Sequence, residues 1–383
     1  MYALLLAVIY LAFVSLGLPD SLLGAAWPSM YPQLGVPVGA MGVITMVISG
    51  CTVVSSLLSN RLIRAFGTRG VVIGSVFLTA VALLGFSLAD MFWLLVLLAV
   101  PYGLGAGCID AALNNYAAIH LSARHMSWLH CFWGVGTIVG PFAMGWALTH
   151  GGWHLGYRIV AALQLAIGVF LVLTRHVWKS ETAGRTEDEK NTAGLMSAAR
   201  VPGVPAAILG FLGYCALEVT AASWASTYFV TVAGIAESQA ADFASLFYIG
   251  ITAGRFLAGI VATGQGDRKM IRIGLTVVGV GLVLLAVSSV LTGLAAVAFV
   301  IVGLGCAPVY PSIMHHTPEA FGARNSASVI GLMMALGYVG TTFVPPLFGL
   351  LGQTVGFWVM PWFLGAFAAL TAVALHRADA TPR

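Results

Sequence analysis

Gly103-Leu-Gly-Ala-Gly-Cys-Ile-Asp-Ala-Ala-Leu-Asn-Asn-Tyr116 lies inside an apolar run from about residue 91 to 119. At 1.5 Å per residue such a run crosses a hydrocarbon layer of about 30 Å as one helix. Three glycines at alternate positions lead to Asp110, and Asn114 follows one turn later on the same helical face. A carboxyl at this depth costs several kcal/mol unless it is neutralised, paired or wetted. Asp110 is therefore a functional candidate from its position alone.

The whole chain matches that reading. Of its 383 residues 60% are hydrophobic and 8% charged, with a mean hydropathy of +0.97. That leaves too little charge to cover a water-soluble domain. The net charge of +4 follows membrane topology and does not point to nucleic acid. Five cysteines scatter through apolar segments without metal-ligand spacing, which suits small buried residues. No basic region precedes the first apolar run, so that run reads as a spanning helix and not as a cleaved signal.

Breakers divide the chain into twelve expected spans. They run at about 3–31, 38–62, 70–89, 91–119, 127–149 and 155–178, then 204–233, 242–263, 270–291, 293–316, 325–350 and 354–376. Fifteen of the 17 Lys and Arg fall in the even-numbered loops, the central linker and the tail, and the odd-numbered loops hold none. The exceptions, Arg158 and Arg255, lie within or at the edge of helices. Both termini and the linker are therefore expected in the cytoplasm. The only hydrophilic stretch, 179–203, carries Glu187-Asp188-Glu189-Lys190 and reads as a solvated tether. The expectation is an all-α membrane protein of twelve transmembrane helices in two six-helix bundles, 1–178 and 204–383.

Six plus six helices about a polar linker is the plan of the major facilitator superfamily, whose halves are repeats built from three-helix units. In that plan the first, fourth, seventh and tenth spans are equivalent. The three intramembrane acids obey it: Asp20, Asp110 and Glu218 sit in the first, fourth and seventh. Gly17-Leu-Pro-Asp20 even echoes Gly107-Cys-Ile-Asp110, while the tenth span is interrupted by Pro308 and Pro311.

Gly107-Cys-Ile-Asp-Ala-Ala-Leu-Asn114 resembles the helix-4 motif of the fucose–proton symporter family within that superfamily. The similarity extends weakly along the chain, through Trp128-Leu-His-Cys-Phe-Trp-Gly-Val-Gly136 and through Glu218 with Trp224 and Thr227-Tyr228. It implies uptake of a neutral monosaccharide by symport, driven by a proton gradient without a cofactor, with Asp20 and Asp110 carrying the coupling. The chain departs from the family in having Asp in helix 4 where the sugar symporters have Glu, and Pro19 beside the helix-1 acid. Gly136-Thr-Ile-Val-Gly140-Pro141 resembles a helix-5 pattern of proton antiporters, so a proton-driven exporter of drugs or metabolites is the alternative.

Read from the residues, Asn114, Glu218, Trp27, Trp224, Tyr228 and Gln164 are the candidates to line a solute site, because amides and acids take hydroxyls while aromatic rings stack on a sugar face. His130 is a possible proton relay. Arg255 is expected to pair near a cytoplasmic gate. With no deep cation beside three acids, anionic solutes are disfavoured. The adjacent His315-His316 is not read as a metal site, and no metal is expected. No G-x-S-x-G, H-E-x-x-H or phosphate-loop motif occurs, so a membrane-embedded enzyme is the remote reading. The expected setting is a monomer in the bilayer of a bacterial-type inner membrane, with protons and a small polar solute as partners.

Overall fold

The computed structural model of the chain describes residues 2–120, 123–178, 195–261, 266–288 and 293–380. Regular structure among them is helical: α1 (Tyr2–Asp20), α2 (Leu22–Gln33), α3 (Met41–Phe86), α4 (Phe92–His120), α5 (Ala123–His150), α6 (Gly152–Leu173), α7 (Leu195–Ala199), α8 (Val204–Thr231), α9 (Glu237–Val261), α10 (Asp267–Val287), α11 (Leu294–Cys306), α12 (Val309–Phe321), α13 (Ala323–Val355) and α14 (Met360–Ala380). Eleven segments of the described residues are long and apolar enough to cross a membrane. The eighth expected span forms the 25-residue α9, which ends where the undescribed residues 262–265 begin. Most of the expected tether, 179–194 with Arg185 and the acidic run, lies outside the described residues.

Two expected spans are each split, and two others are joined. The first span breaks at Ser21 into α1 and α2, directly after Pro19-Asp20. The tenth breaks into α11 and α12 ahead of Pro308. Proline lacks the N–H for a helical bond and crowds the carbonyl four residues back, so breaks belong at these positions. The second and third spans merge in α3 across a kink at Gly67, whose φ of 69° and ψ of 159° suit a residue without a side chain.

The helices form two compact units, Met1–Gly184 with Ala225–Ser245, and Arg185–Trp224 with Leu246–Arg383. The end of α8 and the start of α9 thus group with the first unit. Polar contacts account for this: Ser226 Oγ donates to the Ala25 carbonyl at 3.2 Å, Ser245 Oγ to the Ile138 carbonyl at 3.3 Å, and Ser29 Oγ to the Glu237 carboxylate.

Within the first unit, α4 lies along both limbs of α3. A side chain at Gly103 or Gly107 would collide with the Ile48 or Thr52 carbonyl on one limb, and one at Gly105 with Thr79 and Ser75 on the other. The alternate glycines therefore wedge α4 between two helices, and Thr52 and Ser56 hydroxyls bond the Gly103 and Gly107 carbonyls at 3.2 and 3.1 Å. Asp110 and Asn114 continue the Gly103–Gly107 stripe along α4.

Candidate functional site

The first unit contains the clearest polar centre. Gly17 of α1 and Gly136 and Gly140 of α5 leave no room for a Cβ against the facing backbone, so α1 and α5 cross in direct contact. That approach sets the Trp133 carbonyl against Gly17 and brings Trp133 Nε1 to Asp20 Oδ2 at 2.9 Å. The Asp20 side chain is exposed. Asp110 Oδ1 accepts from Asn114 Nδ2 at 2.8 Å, and the same amide nitrogen reaches the Asp110 carbonyl at 3.0 Å. The helices α1 and α4 touch, so the acids of the first and fourth spans stand on neighbouring helices, each with one neutral N–H donor.

The other candidates in this unit sit apart from that pair. Trp27 is fully buried, with Nε1 donating to the Val38 carbonyl at 2.6 Å. Its ring packs beside Tyr31. Tyr228 is also buried. Gln164 has a different task from the one expected. Pro19 offers no N–H to the Ser15 carbonyl one turn back, and Gln164 Nε2 fills that gap at 2.6 Å while its Oε1 accepts from Ser15 Oγ. Ser21 does the same for Pro141, its Oγ donating to the Thr137 carbonyl at 2.9 Å. His130 is exposed one turn before Trp133, its ring meeting Phe13 edge-on at 5.9 Å.

In the second unit Glu218 Oε1 lies 3.8 Å from Arg255 Nη2, and both side chains are under one-fifth exposed. Arg255 is paired, as expected, but its partner Glu218 stands mid-way along α8 and not at a helix end. This corrects the premise of a site without a deep cation. Trp224 is buried here, with Nε1 donating to the Pro345 carbonyl at 2.8 Å and its ring against Phe348 and Phe357. The three aromatics expected to stack on a solute are all buried in this structure.

His315 and His316 diverge. His315 is exposed and bonds Asp267 at 2.7 Å, whereas His316 turns inward among Glu319, Asp379 and Arg268. Sequence reasoning missed Trp133, Ser15 and Ser21 as partners and the Glu218–Arg255 pair. Their separations, up to 149 residues for Ser15 and Gln164, leave no local signal; only the prolines hinted that some donor was needed.

Helices of this number and length, with polar acids set inside an apolar fold, define a polytopic membrane transport protein. The sequence matches the Major Facilitator Superfamily over residues 9–242 and 206–383, and the chain belongs to that family. It is 27% identical over 374 residues to the uncharacterised transporter y4wD of Sinorhizobium fredii, covering 92% of this chain and 94% of that one. It is 28% identical over 175 residues to the 4-hydroxybenzoate transporter PcaK of Pseudomonas putida, covering 44% of this chain and 37% of the relative. Among solved structures, a variant of the peptide transporter POT with sulfate superposes at a TM-score of 0.77 and 16% identity, covering 96% of this chain and 93% of the other. That likeness concerns the fold. The protein is a transporter and not an enzyme.

Proposed function

We propose that this transporter couples solute movement to protons through Asp20 and Asp110. The observation that carries the reading is the pair itself: two carboxyls on touching helices, one of them exposed, each held by a neutral N–H and with no cation bonded to either among the described contacts. A proton taken up by such a pair relieves its mutual repulsion, and its release restores it. Trp133 and Asn114 offer N–H groups that suit both protonation states of their acids, so they position the carboxyls without fixing their charge.

For the solute we favour a neutral monosaccharide taken up by symport. The helix-4 similarity supports it, as does the half-exposed Trp133 indole beside Asp20, an aromatic edge next to a hydroxyl acceptor. A small organic anion is the second reading. Arg255 stands 3.8 Å from Glu218, a loose pair that a substrate carboxylate can enter, and the relative PcaK is a 4-hydroxybenzoate transporter. The distribution of basic residues supports cytoplasmic termini in an inner membrane of bacterial type, and we take the working unit to be a monomer.

Reconstituted liposomes decide among these. With the exterior acidified, labelled neutral hexose or deoxyhexose should accumulate, and a protonophore should abolish the accumulation. Accumulation that survives the protonophore refutes proton coupling. Concentration of 4-hydroxybenzoate instead of sugar, lost in Arg255→Gln, selects the anion reading. Solute driven toward the acidified side selects antiport.

A further inference from the structure

We propose that Asp267, His316 and Glu319 form a binding site for a divalent transition-metal ion of the zinc class, with Asp379 orienting the histidine. Their ligand atoms, drawn from the start of α10 and the last turns of α12, all lie within 4.8 Å of one another. Two of them, His316 and Glu319, project one turn apart from one helix, the spacing of a local chelate. The set is one imidazole and two carboxylates, which suits zinc, cobalt or nickel better than the all-oxygen preference of magnesium or calcium. Three protein ligands leave one tetrahedral position for water.

The surroundings of His316 supply a second, independent observation. Nδ1 is 3.1 Å from Glu319 Oε2 and Nε2 is 3.2 Å from Asp379 Oδ1, so an acceptor stands at each end of the ring. A neutral imidazole has one N–H and can satisfy one of them. Arg268 Nε–H donates to Nε2 at 3.2 Å and lies 3.3 Å from Asp379 Oδ2. With a metal on Nδ1, the Nε2–H would turn to Asp379 Oδ1 and the Arg268 N–H would move from Nε2 to Asp379 Oδ2, so that each Asp379 oxygen has a donor. A carboxylate behind the second ring nitrogen is the outer shell that metal-bound histidines use. His315 Nδ1, 2.7 Å from Asp267 Oδ2, holds the third ligand from its exposed side. Charge agrees: Asp267, Glu319 and Asp379 stand against the single guanidinium of Arg268 in this contact set, an excess that a divalent cation neutralises.

The full chain, purified in detergent and stripped of metal, is titrated with zinc chloride by calorimetry and with cobalt by visible absorption. One ion per chain is expected, with a cobalt spectrum of four-coordinate type and a rise in Tm on zinc addition. His316→Gln and Glu319→Gln should each weaken binding at least about 10-fold, and Asp379→Asn by about 10-fold through the outer shell. His150→Gln, in the first unit, should leave it unchanged. Glu319 is largely exposed, so its variant reports even where His316→Gln fails to fold. No saturable binding at neutral pH overturns the site. Wild-type affinity in folded His316→Gln or Glu319→Gln overturns it equally.

Discussion

Asp110 and Asn114 illustrate how much one residue type decides. The amide donates to the carboxyl, and it would donate equally to the oxygen of an amide in its place. Asp110→Asn should therefore fold and exchange solute across the membrane but fail to concentrate it against a gradient; a variant that still accumulates solute would remove Asp110 from the coupling. Gln164 carries a different kind of prediction. Because Pro19 withholds the donor that the Ser15 carbonyl needs, Gln164→Leu leaves a buried acceptor bare, at a cost of about 1–3 kcal/mol. Pro19→Ala returns a helical N–H to that carbonyl. In the pair Pro19→Ala and Gln164→Leu the loss from Gln164 should shrink by more than half, read as a double-mutant cycle of unfolding. Strict additivity would show that the amide does not compensate for the proline. The acids were legible as single residues because an intramembrane carboxyl is costly wherever it stands. The roles of Gln164 and Trp27 were not, because polarity or aromaticity at a position does not say whether it faces a solute or a neighbouring backbone.

At the scale of helices, small residues set how close the elements come. Gly136 presses on the Val14 carbonyl, a backbone atom that cannot step aside without moving α1. Gly136→Ala should separate α1 from α5, lower stability by about 1–3 kcal/mol and weaken the Trp133–Asp20 bond that depends on this crossing. Gly279, mid-way along α10, has open space where a Cβ would stand, so Gly279→Ala should leave Tm unchanged or raise it. Equal losses in the two variants would detach the effect from the α1–α5 contact. The Gly136–Gly140 pattern was read as a mark of antiporters. Its physical content is this close crossing, which serves either direction of transport. The breaks at Ser21 and before Pro308 were legible from proline chemistry, and the run of apolar residues gave most spans. The partners that the charged side chains of α9 find in the fold were less legible: Arg255 meets Glu218 and Glu237 meets Ser29. Hydropathy averages over such residues and cannot see that their charges or hydrogen bonds are matched.

For the whole molecule, the informative quantity is where the positive charge lies along the chain. Fifteen of 17 Lys and Arg occupy even-numbered loops, the linker and the tail, and cationic loops near spanning segments stay on the cytoplasmic side. Arg158 lies in α6, and Arg255 is explained by its partner Glu218, so neither counts against the pattern. The same rule makes the orientation testable without knowledge of the solute. Gly35 and Glu237 lie in the turns expected outside, but Gly35 holds a φ of 65° that strains any side chain and Glu237 bonds Ser29. Pro37 and Gln239 are exposed neighbours free of both problems, while Arg69 and Arg200 are exposed in segments expected inside. In a background with the five native cysteines replaced, Pro37→Cys and Gln239→Cys should react with an impermeant thiol reagent added to intact cells. Arg69→Cys and Arg200→Cys should react only after the membrane is opened. Labelling of Arg69→Cys or Arg200→Cys in sealed cells would reverse the orientation. Labelling of Pro37→Cys without Gln239→Cys would instead break the count between them, because an even number of crossings must separate two sites on the same side.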